Sequence, residues 1–176
     1  CNCDRETTNL DAFAASFARL SGLPWESAWQ TIERYYAEEY HELGKHITQT
    51  SLARDVVKQC VGNGWQIVLA TQPIYPEQAV RTRLAWCGVD SMPWRFITTI
   101  DKMHYCKPQV EGLDPSRCVM VGNNMQEDMV AKGAGMKTFL VEDYLINWDG
   151  DGRAIEPDGR GSLDDVPSGI EKLLLR

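Results

Sequence analysis

Two stretches of this sequence contain side chains that could bind a phosphate group. Thr71 follows the apolar run at residues 65–70, and its hydroxyl, with the backbone N–H groups of the turn that begins at Gln72, suits a phosphate oxygen. Lys107 precedes a proline, and its positive charge could neutralise a phosphate or a carboxylate. Each feature alone is also common in ordinary structure, as a threonine that ends a strand or an exposed lysine before a turn.

A third stretch, residues 122–128, carries oxygen ligands of the kind that a hard cation such as Mg²⁺ prefers. Asn123 and Asn124 offer neutral carbonyl oxygens, and Asp128 offers a negative charge. The alternative interpretation is an asparagine-rich turn in which Asp128 stabilises the N-terminus of the following helix.

Helices and strands that would position these residues alternate along the chain. Apolar residues recur at helical spacing at residues 10–20, 25–43, 52–60, 76–87, 127–134 and 170–174. Apolar runs typical of buried strands lie at residues 65–70, 96–100, 118–121 and 138–141. Residues 147–161 are rich in Gly and Asp and are predicted to form a loop.

This alternation predicts an α/β fold with a mostly parallel sheet and right-handed crossovers. Ligands of such sheets bind beyond the carboxyl ends of the strands. Thr71, Lys107 and Asn124 each follow a predicted strand, so we expect them to converge at one edge of one sheet.

In this order, the three stretches resemble the second, third and fourth motifs of the haloacid dehalogenase (HAD) superfamily of phosphohydrolases. Residues 67–71 are similar to the second motif, and Lys107 with Pro108 is similar to the third. Residues 119–128, followed by residues 134–138, are similar to the fourth. The resemblance covers roughly residues 51–145, which is over half of the chain.

The resemblance implies a Rossmann-like three-layer α/β sandwich with a small helical cap. Residues 11–45 would form the cap, which closes over the site and selects the substrate, and residues 51–176 would form the core. Members of the family attack a phosphate with an Asp nucleophile in the presence of Mg²⁺, and water then hydrolyses the aspartyl-phosphate.

The same resemblance assigns roles to particular side chains. Thr71 and Gln72 would bind phosphate oxygens, and Lys107 would orient the nucleophile and balance charge. Asn124 and Asp128 would lie at the metal, with Asn123 as the alternative to Asn124.

The sequence departs from the family pattern in three places. The first motif, Asp-x-Asp-Gly-Thr after an apolar strand, is absent, and residues 4–8 match it only loosely. Asn stands at both 123 and 124, where the family has an acid, and the loss of a charged ligand should weaken Mg²⁺ binding. Lys107 and Gly122 are closer together than the family usually allows. We therefore expect the first core strand, with its nucleophile, to lie in a segment outside this sequence.

Composition excludes several other classes of protein. The 176 residues carry a formal charge of -7 and no basic run, which disfavours binding to nucleic acid or an anionic membrane. No apolar stretch approaches the roughly 20 residues that span a bilayer. The six cysteines include only one close pair, which favours reduced thiols in a cytoplasmic protein. No Gly-x-Gly-x-x-Gly follows a predicted strand, so a nicotinamide dehydrogenase is disfavoured.

Three hypotheses about function follow. The first is a Mg²⁺-dependent phosphatase that acts on a small phosphorylated metabolite. The second is a HAD-fold protein of impaired activity that binds phosphorylated ligands in a regulatory role, because of the Asn pair and the absent first motif. The third is another chemistry of the superfamily, such as dehalogenation, which needs no metal. The sequence indicates neither the substrate nor the oligomeric state.

Overall fold

The computed structural model describes residues 6–48, 50–104, 113–147 and 155–175, and these ranges form a mixed α/β protein. The chain divides into two compact units. The first contains Cys1–Val57 and Gly64–Cys106, and the second contains Lys58–Asn63 and Lys107–Arg176. Within the described ranges, no helix has both the length and the apolar character needed to cross a bilayer.

Helix α1 (Asn9–Ser21) carries the apolar stripe predicted at residues 10–20, begins at a capping box and ends at a glycine. The Thr8 hydroxyl accepts a hydrogen bond from the Asp11 backbone N–H at 3.1 Å, and the Asp11 carboxylate accepts one from the Thr8 N–H at 3.1 Å. Gly22 ends the helix with φ 70°, a conformation that favours glycine.

Helix α2 (Trp25–Glu38) and the 3₁₀ segment Tyr40–His46 carry a ladder of aromatic rings. The Trp25 and Trp29 rings stack with centroids 5.2 Å apart, and Tyr40 lies between Tyr36 and Trp86 at 4.9 and 5.1 Å. Neither α1 nor α2 contains a fully buried residue. The rings therefore pack mainly against one another while remaining partly exposed, which agrees with a packing role for the predicted stripe.

The remainder of the first unit is strand and helix. Its elements are α3 (Leu52–Gly62), which continues into the second unit, β1 (Ile67–Leu69), α4 (Glu77–Trp86) and β2 (Trp94–Ile97). Strands β1 and β2 pair in parallel, with Leu69 opposite Ile97. Val80 and Leu84 of α4 pack with Val89 and Ile97 in a buried cluster that supports this pair.

The second unit contains a three-stranded parallel sheet. Its strands are β3 (Val119–Gly122), β4 (Lys137–Val141) and β5 (Gly159–Gly161), and β4 lies in the middle. Two 3₁₀ segments, Pro115–Arg117 and Met129–Ala134, and helix α5 (Val166–Leu174) complete the unit. Because β4 is paired on both sides, Phe139, Leu140 and Val141 are all buried, and the Phe139 ring lies beneath Gly159.

Two expectations about this unit are corrected by the structure. The helix predicted at residues 127–134 is a turn followed by a 3₁₀ segment, Met129–Ala134. The loop predicted at residues 147–161 contains strand β5 at its end. The sequence Gly-Arg-Gly carries no apolar signal of a strand, and β5 forms because its backbone pairs with Phe139–Val141 of β4.

Asp158 holds the start of β5 against β4. Its carboxylate accepts hydrogen bonds from the Thr138 backbone N–H at 3.0 Å and the Thr138 hydroxyl at 3.1 Å, and it pairs with Lys132 at 2.8 Å. Burial raises the pKa of Asp158, but the hydrogen bonds from Lys132 and Thr138 together outweigh burial and hold the pKa below the ordinary range for Asp.

We predict that Asp158→Asn destabilises the chain by about 1.5–3 kcal/mol near neutral pH, because hydrogen bonds to a charged acceptor are lost. A carboxylate whose pKa is lowered by folding stabilises the folded state above its unfolded pKa of about 3.9 and loses that effect as the pH falls through the folded pKa. The difference between the parent and the variant should therefore shrink in acid.

Urea unfolding at about pH 7 and at about pH 3 measures both effects. Asp164→Asn is the matched control, since this substitution at the exposed Asp164 removes the same charge from the same unit. A difference between parent and Asp158→Asn that stays constant across this range would contradict the assigned role.

Candidate functional site

The ends of β1 and β2 are joined by the side chain of Thr98. The Thr98 hydroxyl accepts a hydrogen bond from the Thr71 backbone N–H at 2.8 Å and lies 3.0 Å from the Thr71 carbonyl oxygen, to which it can donate. The Thr98 N–H donates to the Leu69 carbonyl oxygen at 3.0 Å. Thr98 is buried, so these bonds fix the backbone of the turn that follows β1.

The hydroxyl of Thr71, in contrast, makes only long contacts with the other described residues. It lies 3.3 Å from the Gln72 carbonyl oxygen, 3.5 Å from the Thr98 carbonyl oxygen and 3.3 Å from the Thr98 hydroxyl. O–H···O hydrogen bonds are normally about 2.5–3.0 Å long, so all three contacts are weak. Because Thr71 is also partly exposed, its hydroxyl can rotate toward a ligand oxygen without losing a strong internal bond.

Thr99, the next residue after Thr98, was not singled out from the sequence and has an unusual environment. It is fully buried, and within the described ranges its hydroxyl has no hydrogen-bond partner. A buried hydroxyl without a partner costs about 1–3 kcal/mol. No pattern in the sequence could have indicated this, because Thr99 sits in an apolar run where a hydroxyl is usually satisfied by backbone.

In the second unit, residues that follow β3 form a closed polar turn. The Asp128 carboxylate accepts a hydrogen bond from the Asn124 backbone N–H at 3.0 Å, and the Asn124 carboxamide oxygen accepts from the N–H groups of Gln126 and Glu127 at 3.0 and 3.1 Å. Asn124 and Asp128 are both buried. Asn124 thus satisfies the first N–H groups of the turn. Asp128 makes no side-chain capping bond to the 3₁₀ segment that follows it, Met129–Ala134.

The Asp128 carboxylate lies against Gly122, the last residue of β3. A Cβ atom placed on Gly122 would be 2.1 Å from Asp128 Oδ2, well inside any real contact distance. Glycine is therefore required at this strand end to admit the carboxylate.

Asn123 points to a different partner. Its side-chain N–H donates to the Tyr144 carbonyl oxygen at 2.5 Å, and its own backbone carbonyl oxygen accepts from the Ile146 N–H at 2.8 Å. Asn123 therefore holds the loop after β4 beside the loop after β3.

The described residues do not by themselves complete a Mg²⁺ site. A carboxamide oxygen has two lone pairs, and the two N–H groups use both at Asn124. Among the hydrogen bonds described above for this turn, the carboxylate that takes part is that of Asp128. Within residues 6–48, 50–104, 113–147 and 155–175, no group of three or more His, Cys, Asp or Glu residues could hold a metal ion. The assignment of Asn124, Asp128 and Asn123 to a metal stays a prediction.

Lys107 lies outside the described residues. Thr71 follows β1 of the two-stranded sheet in the first unit, and Asn124 follows β3 of the three-stranded sheet in the second, so the described strands form two sheets and not the single sheet that we expected. The meeting of Thr71, Lys107 and Asn124 stays a prediction.

Comparison with known proteins finds similarity to a curated relative and to a solved structure, and no protein-family model matches the chain. The chain is 24% identical over 131 residues to pyrophosphatase PpaX of Bacillus velezensis. That match covers 69% of this chain and 59% of the relative, so the chain spans less than two thirds of the relative's length.

The second similarity is to the crystal structure of an uncharacterized protein from Listeria monocytogenes serotype 4b. The TM-score is 0.51 at 18% sequence identity, and the match covers 72% of this chain and 82% of that chain. This likeness concerns the fold alone.

We predict that Gly122→Ala destabilises the chain by about 1–3 kcal/mol, because the new methyl group overlaps the Asp128 carboxylate and must displace it. Gly133→Ala is the matched control, since a Cβ atom placed on Gly133 would meet nothing within 4 Å and the change should be neutral or slightly stabilising. Thermal unfolding of both variants tests this, and equal midpoints would show that the Gly122 contact is unimportant.

We also predict that Asn124→Asp tightens Mg²⁺ binding by about tenfold or more. One carboxylate oxygen can keep the bonds from Gln126 and Glu127, while the second brings a charge and an uncommitted ligand beside Asp128. Calorimetric titration with Mg²⁺ measures the change. Asn123→Asp should have less effect, because Asn123 faces Tyr144. If neither variant binds Mg²⁺ more tightly than the parent, Asn124 is not at a metal site.

Proposed function

We propose that this chain is a hydrolase of haloacid dehalogenase type that removes phosphate from a small phosphorylated metabolite. The observation that carries the proposal is the Thr71 hydroxyl, which follows the carboxyl end of β1 on a fixed backbone and makes only weak contacts within the part of the chain that the structure describes. The order of the motif-like stretches and the similarity to a pyrophosphatase support the same activity.

In this proposal different residues bind the phosphate and balance its charge. The Thr71 hydroxyl and the turn at Gln72 would donate to phosphate oxygens, and Lys107 would balance the negative charge. An Asp from a segment outside this sequence would attack phosphorus, the ester P–O bond would break, and the alcohol would leave. Water would then cleave the aspartyl-phosphate and release inorganic phosphate.

Mg²⁺ dependence is part of the proposal, and bound Mg²⁺ would neutralise charge on the phosphate. Asp128 is the described carboxylate that would ligate it. The Asn124 oxygen is already occupied by two N–H groups, so the other ligands would be waters, several of which Mg²⁺ usually keeps, or residues outside the described ranges.

Residues 11–45 would act as a cap over a core of residues 51–176 and would exclude water during the reaction. We place the protein in the cytoplasm, since the described cysteines, Cys60, Cys87 and Cys118, are free thiols of the kind that a reducing compartment maintains.

The second candidate is a protein that binds phosphorylated ligands in a regulatory role without turning them over. The saturated Asn124 oxygen favours it, because a weak metal site would remove catalysis and leave the anion pocket intact. Both candidates require phosphate binding, and only the first requires turnover.

We predict that Thr71→Val and Lys107→Ala each weaken binding of inorganic phosphate or vanadate by about tenfold or more, because each removes a contact to a charged ligand worth about 1.5–3 kcal/mol. Calorimetric titration gives the affinities. Thr82→Val and Lys58→Ala are the matched controls, since Thr82 bonds within α4 and Lys58 is exposed on α3.

A second assay separates the two candidates. Turnover of a generic phosphate ester that depends on Mg²⁺ identifies the hydrolase, and phosphate binding without turnover identifies the binding protein. Unchanged phosphate affinity in both Thr71→Val and Lys107→Ala would overturn both candidates.

A further inference from the structure

A cavity of about 450 Å³ lies within the first unit. One wall is formed by α2, which contributes the rings of Trp29, Tyr35 and Tyr36. The lining also contains Ile74, which follows β1, and Ile100, which follows β2. Cavities of this size hold small organic ligands, and most of the side chains named here are apolar or aromatic.

Backbone hydrogen bonds fix the loops that form this cavity. The Ile100 N–H donates to the Tyr75 carbonyl oxygen at 2.9 Å, which joins the loop after β2 to the loop after β1. The Ile100 carbonyl oxygen accepts from the Leu10 N–H at 2.9 Å, and the Met103 carbonyl oxygen accepts from the Asn9 N–H at 2.8 Å. The first turn of α1 is therefore anchored to a strand-end loop, and the cavity is a preformed feature of the unit.

The cavity lies close enough to the Thr71 hydroxyl for one small molecule to contact both. Ile74 is three residues from Thr71, a separation that spans at most about 11 Å of extended chain. Ile100 is two residues from Thr98, whose hydroxyl is bonded to the Thr71 N–H. A phosphate held at Thr71 and an organic group seated in the cavity could therefore belong to one ligand.

The chemistry of the wall favours a flat, mainly apolar group. The Tyr36 phenol is neutral at ordinary pH, as is usual for Tyr, and burial raises its pKa further. Aromatic rings gain free energy by packing against other rings and against aliphatic surface. Arg34 and Glu39 are the charged side chains on the lining, and opposite charges of this kind suit polar substituents rather than a second phosphate.

We infer that this cavity binds the organic group of the substrate, and that the chain prefers phosphate esters of aromatic or other flat, mainly apolar alcohols to inorganic pyrophosphate. Inorganic pyrophosphate contains no carbon and would bury none of the apolar wall. The inference rests on the proposed phosphate site at Thr71 and deepens it by naming the substrate class.

The test compares the binding of phenylphosphonate and methylphosphonate to the chain by calorimetric titration. The two probes share the phosphonate group and differ in the group that would enter the cavity. We expect phenylphosphonate to bind at least about tenfold more tightly, since a ring buries far more apolar surface than a methyl group. Neither probe requires turnover, so the result does not depend on the nucleophile.

Two variants locate the preference in the cavity. Trp29→Ala and Ile74→Ser should each lower the affinity for phenylphosphonate by about threefold or more and leave methylphosphonate binding unchanged. Ile74 is 58% exposed, so its replacement leaves the core intact even if loss of Trp29 disturbs α2. Leu23→Ser is the matched control, because Leu23 is 57% exposed and does not line the cavity.

The outcomes separate this inference from the function on which it rests. If neither phosphonate nor inorganic phosphate binds the parent chain, the phosphate site fails and the inference fails with it. If both probes bind with equal affinity, or if Trp29→Ala and Ile74→Ser leave their ratio unchanged, the phosphate site stands and the assignment of the cavity is overturned.

Discussion

Buried polar side chains usually bond to a partner, and in the described residues, Thr99 apart, this need shapes the loops at the strand ends. Thr98 meets it by bonding to the backbone of Thr71, which fixes the turn after β1. Asn124 and Asp128 meet it within their own turn after β3. Thr138 meets it by binding Asp158, and this contact starts strand β5. In each case the partner that satisfies the buried group is also the contact that positions a loop.

The same requirement determines which neighbouring polar groups remain able to bind a ligand. The Thr98 hydroxyl is hydrogen-bonded to the backbone, and the Thr71 hydroxyl can therefore bind a ligand. The Asn124 oxygen is committed to two N–H groups, so it cannot also be a strong metal ligand in this conformation. The choice between a hydrolase and a binding protein depends on this second commitment, since a carboxylate at 124 could serve the turn with one oxygen and a cation with the other.

The sequence indicated most helices and strands because their apolar residues repeat with a clear period. Helix α1 and its end at Gly22 followed from that pattern, as did β4, whose residues are all buried apart from Lys137. Strand β5 could not be predicted, because Gly-Arg-Gly is defined only by its pairing with β4. At the candidate site, the positions of Thr71 and Asn124 after their strands were predicted. The contact between Thr71 and Thr98 was not, because it joins residues 27 apart in the chain, and the saturated Asn124 oxygen depends on local angles that no spacing reveals.

The aromatic helices α1 and α2 lack fully buried residues, and α1 is anchored to the loop after β2 through Asn9 and Leu10. Elements with so little buried surface open at a lower free energy than the core of a domain. The backbone amides of α1 and α2 should therefore exchange with deuterium faster than those of β4.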